Sequence, residues 1–152
     1  MKQVSYIDVS LHTPAGKTVV PMKIVHHGST SELEIGIAYH HVQYIGNGRK
    51  DYIADALADL QSKLPDDVKL CCCMTCRHGN MCPYSAGEEE LYCTKDLSIN
   101  SKEDICNLFD SINPDFDRIV SAFSSCDDFV YQNQGFYTYN TFLYYLEQRK
   151  NP

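Results

Sequence analysis

A chain of 152 residues with 43% hydrophobic content can bury a sizeable core without disulfide or metal staples, so one domain over residues 1–152 is expected. No apolar run approaches 18 residues, and no basic, apolar leader with a small-residue cleavage site is present. A cytoplasmic protein with no membrane span and no signal peptide is therefore expected. The net charge of -7 falls entirely in the second half, since residues 1–64 carry six acids and six bases and residues 65–152 carry fourteen and seven; such a field repels phosphate and counts against a nucleic-acid partner.

The first half reads as a sheet followed by a helix. Residues 4–11 (VSYIDVSL) alternate, with Val4, Tyr6 and Asp8 toward one face and Ile7, Val9 and Leu11 toward the other. Thr13-Pro14-Ala15-Gly16 is a turn, residues 18–25 (TVVPMKIV) form a β-branched strand, and His26-His27-Gly28-Ser29-Thr30 forms a second turn. Residues 33–39 (LEIGIAY) alternate again, and a shorter fourth strand is expected over 41–45, ended by Gly46-Asn47-Gly48. Proline cannot donate to a ladder, so Pro21 marks an edge or a bulge in this antiparallel meander. Residues 50–64 then carry Ile53, Ala56, Leu57, Leu60 and Leu64 at spacings of three and four. This predicts a helix whose apolar stripe packs on the meander while Asp51, Asp55 and Asp59 line another face.

The second half, residues 65–152, is cysteine-rich and acidic. Residues 68–73 read as a buried strand leading to Cys73-Met-Thr-Cys76, and residues 83–90 as a loop. Residues 91–94 form a short strand returning toward the thiol pair. Asn100 or Ser101 caps a second helix with acids in its first turn and Ile105, Leu108, Phe109 and Ile112 on its apolar side, stopped by Asn113-Pro114. Residues 116–123 suggest another strand, and residues 140–149 a C-terminal helix with Phe142, Leu143 and Leu146 inward. The fold class is α+β: a meander packed by an amphipathic helix, with a cysteine-rich subsite and C-terminal helices.

Six of the eight cysteines lie within residues 70–95. In a reducing compartment such thiols point to metal ligation or inert burial before disulfides. Two residues between Cys73 and Cys76 let both sulfurs face one ion, and Cys93 on the returning strand is a third candidate. Cys82, Cys126 or His78 could take the fourth place. Four thiolates satisfy the tetrahedral preference of zinc and leave no open position, which makes the expected zinc structural. Cys71, Cys72 and Cys106 fit as small buried apolar residues. A redox role for the pair would want Cys73 at a helix N-terminus, and Gly79 and Pro83 close behind argue against one. His26-His27 and His40-His41 are adjacent pairs whose side chains diverge on a strand, so they read as turn residues rather than chelators. Phe136-Tyr137-Thr138-Tyr139 and Tyr144-Tyr145 are more readily core-edge cover than a contact surface.

Cys73-x-x-Cys76, Pro83-Tyr84, Leu91-x-Cys93 and Ser101-Lys102-Glu103-Asp104-Ile105 together resemble a loosely defined group of small bacterial proteins, some of which act as immunity proteins that neutralise a partner toxin. The resemblance covers roughly residues 50–130. A later cysteine followed by an acid and Phe recurs in that group, which here is Cys126-Asp127-Asp128-Phe129. That match favours Cys126 over Cys82 as the fourth ligand and leaves Cys82 as an extra ligand or a bystander. The resemblance implies non-catalytic binding of a protein partner, a basic toxin domain, with the acidic half steering encounter. The alternative is a thiol- or metal-dependent enzyme using Cys73 and Cys76.

Overall fold

The computed structural model describes residues 2–49, 52–82, 90–110 and 116–150. Strands β1 (Lys2–Thr13), β2 (Gly16–His27), β3 (Glu32–Tyr39) and β4 (Val42–Arg49) form an antiparallel meander, and β5 (Lys69–Cys71) joins its far side in the order β4-β3-β2-β1-β5. The β1–β2 register runs unbroken from Lys2↔His27 to Thr13↔Gly16, whereas β3 pairs with β2 only over Lys23 to His26. Pro21 therefore sits outside the β2–β3 ladder, on a stretch where its missing N–H costs no bond.

Alternation decides which face is buried. Leu33, Ile35 and Ile37 on β3, Met22 and Ile24 on β2, and Val9 and Leu11 on β1 are buried against helix α1 (Ile53–Lys63) and its surroundings. The helix contributes Ile53, Ala54, Ala56, Leu57 and Leu60 to the same core, each large aliphatic side chain contributing about 1.5–3 kcal/mol by leaving water. The expected fourth strand over 41–45 is longer, because Gly46 and Gly48 belong to β4 rather than ending it. A Cβ on Gly46 would lie 2.5 Å from the Ala56 carbonyl oxygen and one on Gly48 2.7 Å from the Ala56 nitrogen. The glycines are the close-approach points of strand and helix. The tight β3–β4 turn is made by His40 and His41, both at positive φ (49° and 66°), so these histidines are turn residues.

Beyond β5 a short 3-10 helix, Cys73–Thr75, leads into β6 (Gly79–Met81), which pairs with β7 (Glu90–Cys93), which pairs with β8 (Ile119–Ser121). The strand expected over 116–123 is reduced to β8 behind a 3-10 turn, Phe116–Arg118. Only Glu90, Leu91 and Tyr92 of β7 are paired with it, and the Arg118 guanidinium is held by the carbonyl oxygens of Cys93 (3.2 Å) and Lys95 (2.7 Å). Helix α2 (Lys102–Phe109) is capped by Ser101, whose hydroxyl accepts the Asp104 N–H at 3.3 Å, and Phe109 packs on Tyr92 of β7. The expected stop at Asn113-Pro114, Ile112, the start of the first helix at Lys50 and Asp51, and most of the 83–90 loop lie outside the described residues. Helix α3 (Phe142–Lys150) packs on α1 with Phe142 and Leu146 buried and Arg149 bonded to Asp55 and Asp59. Among the described residues no helix is long and apolar enough to cross a membrane.

Candidate metal centre

The thiol pair is positioned by a locally closed turn. Thr75 is completely buried, donates its hydroxyl to the Leu70 carbonyl at 2.7 Å and accepts the Cys72 N–H at 3.2 Å. The Cys76 N–H returns to the Cys73 carbonyl (3.2 Å) and the Gly79 N–H to the Cys76 carbonyl (3.0 Å). A Cβ on Gly79 would stand 1.9 Å from the Cys73 oxygen, so only glycine permits this chain reversal. The glycine three residues after the second cysteine is thus the mark that the reversal leaves in the sequence.

The reversal brings in the other thiols. Gly79 is the register partner of Cys93, which places the returning strand against the turn. The Cys73 N–H donates to the Ser124 carbonyl at 2.7 Å and Met74 N–H to that of Ala122 at 3.0 Å, fixing the loop after β8 that carries Cys126. Cys73, Cys76, Cys93 and Cys126 consequently line one cavity of about 20 Å³, together with His78, Gly79, Lys95, Val120 and Asp128. That space suits an ion or a single water. Cys82, one residue past β6, is half-buried and does not line it; the structure thus gathers four of the five cysteines expected as ligands.

As the side chains stand, no three His, Cys, Asp or Glu groups among the described residues are already disposed as a metal-holding set. Cys73 Sγ, for example, lies 3.2 Å from Ser124 Oγ. Burial pushes the Cys73 thiol up to about 11, with the Ser124 hydroxyl opposing and the nearby Cys76, Cys93 and Cys126 adding to the rise. Cys76 is also raised, first by burial, with the backbone of Val130 and His78 opposing the rise. Four cysteines converging on one small space supply soft sulfur donors. The donor chemistry therefore fits a soft divalent ion of the zinc type. His78 is held below the usual imidazole range by burial and then by Arg77.

Cys71 and Cys72 are buried among the core residues below the turn, Cys72 pushed up to about 12 by complete burial, and Cys106 lies half-buried on α2. None of the three lines the cavity. Two charged groups at its rim, Lys95 and Asp128, form an ion pair that sequence reasoning had not singled out. Lys95 follows Cys93 by two residues and Asp128 follows Cys126 by two, a symmetry visible only once those cysteines are known to meet.

No protein-family model matches the chain, and no curated protein or solved structure matches it either.

Proposed function

We propose that the protein is a non-catalytic, immunity-type binding protein that neutralises a basic bacterial toxin, with Cys73, Cys76, Cys93 and Cys126 holding one structural zinc. The convergence of these four thiols on one ion-sized cavity carries the metal assignment. A four-thiolate set leaves zinc no open coordination position, which makes the centre a brace rather than a catalyst. Cys73 opens a three-residue 3-10 turn rather than an α-helix, so no helix N-terminus activates it, which weighs against the thiol-enzyme alternative. The partner assignment draws on the motif resemblance and on the acidic excess of the second half, which steers a cationic surface toward it.

Four measurements test the reading. Metal analysis of purified protein is expected to give one zinc per chain, retained in Cys82→Ser and lost in Cys93→Ser or Cys126→Ser. Thiol titration is expected to show four sulfurs that become reactive only after chelation. A metal-free chain with freely reactive Cys73 and Cys76 would defeat the zinc centre. Co-purification with a small basic toxin at low salt, lost at high salt, tests the partner; a toxin-sensitive host left unprotected by the expressed chain would defeat that part alone.

A further inference from the structure

The edges of the five-stranded sheet are closed unequally. At β4, Asp59 accepts the Asn47 N–H at 2.8 Å and the Lys63 ammonium donates to the Ile45 carbonyl at 2.8 Å, so side chains of α1 occupy that edge. On β2 the stretch before the β3 ladder contains Pro21, which has no N–H to offer. β1 is different. β5 pairs with it only at Ser10, Leu11 and His12, and among the described residues no strand lies outside residues 2–8.

Pro21 also fixes which groups this open edge presents. A proline cannot exchange two ladder bonds, so Asp8↔Pro21 is a non-hydrogen-bonded pair. Because the register is unbroken, the pairs alternate along the whole strand. Lys2, Val4, Tyr6 and Asp8 therefore turn their N–H and C=O groups away from β2, as Ser10 and His12 do toward β5. The side chains there are open as well: Val4 is 46% and Tyr6 65% exposed.

We infer that a second copy of this chain pairs antiparallel along residues 2–8 of β1, across a twofold axis through Ser5, joining two sheets into one. Only even-numbered residues bond outward, so a symmetric register must set even against even. Centring on Ser5 uses all four: Lys2 faces Asp8 and Val4 faces Tyr6, each twice, giving opposite charges and apolar pairs on one face. Centring on Val4 leaves Asp8 with no partner and sets Lys2 on Tyr6. Centring on Tyr6 sets Val4 on Asp8 and drives Lys2 toward Ser10, where β5 already pairs. The charge complementarity and the length of the open edge thus select one register and one occupant. This interface is independent of the metal centre and of the toxin assignment.

Sedimentation analysis of the full chain over a concentration series tests it, with a monomer–dimer equilibrium expected. Asp8→Lys and Lys2→Asp should each raise the dimer dissociation constant about tenfold, because two symmetry-related pairs turn from attractive to repulsive. The double variant should restore it to within about threefold, since the swapped pair is again complementary. Val4→Pro should abolish the dimer while leaving the melting of the monomer nearly unchanged, because the Val4 N–H is outside the β1–β2 ladder. A chain that stays monomeric at every concentration, a dimer that survives Val4→Pro, or a double swap that fails to restore association would overturn the proposal.

Discussion

Replacing Thr75 by Val isolates the bonds that seat the thiol turn on the core. The substitution keeps shape and volume but removes an oxygen that donates to the Leu70 carbonyl and accepts the Cys72 N–H, in a position with no solvent exposure. No water can replace either bond without opening the core. A buried backbone group left unpartnered costs about 1–3 kcal/mol, so two cost about 2–6 kcal/mol. That is a large share of the roughly 5–15 kcal/mol that holds a domain folded. With a urea m-value of about 2 kcal/mol/M, a loss of about 3 kcal/mol lowers the midpoint by about 1.5 M at unchanged m. Thr75→Ser keeps the hydroxyl and loses one methyl, a cost of about 1 kcal/mol. Thr75→Val thus reports the hydrogen bonds and Thr75→Ser the methyl packing, and the first is expected to exceed the second by about 1–5 kcal/mol. Equal midpoints for Thr75→Val and Thr75→Ser would refute the claim that this hydroxyl, rather than packing, anchors the turn.

His41 adopts φ 66° in an exposed two-residue turn where glycine carries no Cβ penalty, so His41→Gly is expected to stabilise the protein by about 0.5–1 kcal/mol. A thermal melt should show the midpoint rising about 1–4 °C, and an unchanged or lower midpoint would contradict the strain argument. His40 is left in place because its ring stacks on Tyr39 at 4.0 Å. Asp59 offers a pH test. Burial by itself would raise its carboxyl, but the Asn47 N–H, Lys63 and Arg149 outweigh burial and hold it below the usual aspartate range. A depressed folded-state value means stability that is full above the unfolded-state value and lost as pH falls through the folded-state one. The stability difference between the parent and Asp59→Asn should therefore be constant near neutrality and shrink below about pH 4. Denaturation curves giving a pH-independent difference would remove the carboxylate from the account.

The sheet and helix were legible because their periods are clean. Leu33, Ile35 and Ile37 alternate with residues of the other face along one strand, and Leu57, Leu60 and Leu64 repeat at helical spacing over a full stripe. Elsewhere packing overrides the local chemistry. Gly46 and Gly48 carry a turn signature, yet they extend β4 because α1 crosses too close for any side chain. β6 has only three residues and no alternation to read; it exists because Gly79 reverses the chain onto Cys93. For the site, Cys73 and Cys76 were visible from spacing, and Cys93 from its place on a returning strand. Cys126 was not readable from spacing at all. Its position depends on backbone bonds from Cys73 and Met74 to Ser124 and Ala122, contacts that span some fifty residues and leave no periodic trace.

Those same bonds determine what loss of the proposed zinc would do. Besides the sulfurs, the thiol turn is tied to the C-terminal segments by Cys73 N–H to Ser124, Met74 N–H to Ala122, Arg77 N–H to Val130 and Gln132 N–H to Thr75, all between 2.7 and 3.0 Å. The Gln132 and Asn140 side-chain amides both reach the Met74 carbonyl, at 2.6 and 2.8 Å. The main core draws most of its aliphatic side chains from β1 to β3 and α1; Leu70, Met74 and Leu91 join it from the thiol side, but none of the four cavity thiols is among its fully buried members. A small zinc finger unfolds without its ion because it has no other core. Here chelation is expected to leave far-UV dichroism nearly intact while amide exchange accelerates around residues 90–95 and 119–128, the two segments that deliver Cys93 and Cys126. Exchange protection lost equally in β2, β3 and α1 would show instead that the thiol centre and the sheet fold as one cooperative unit.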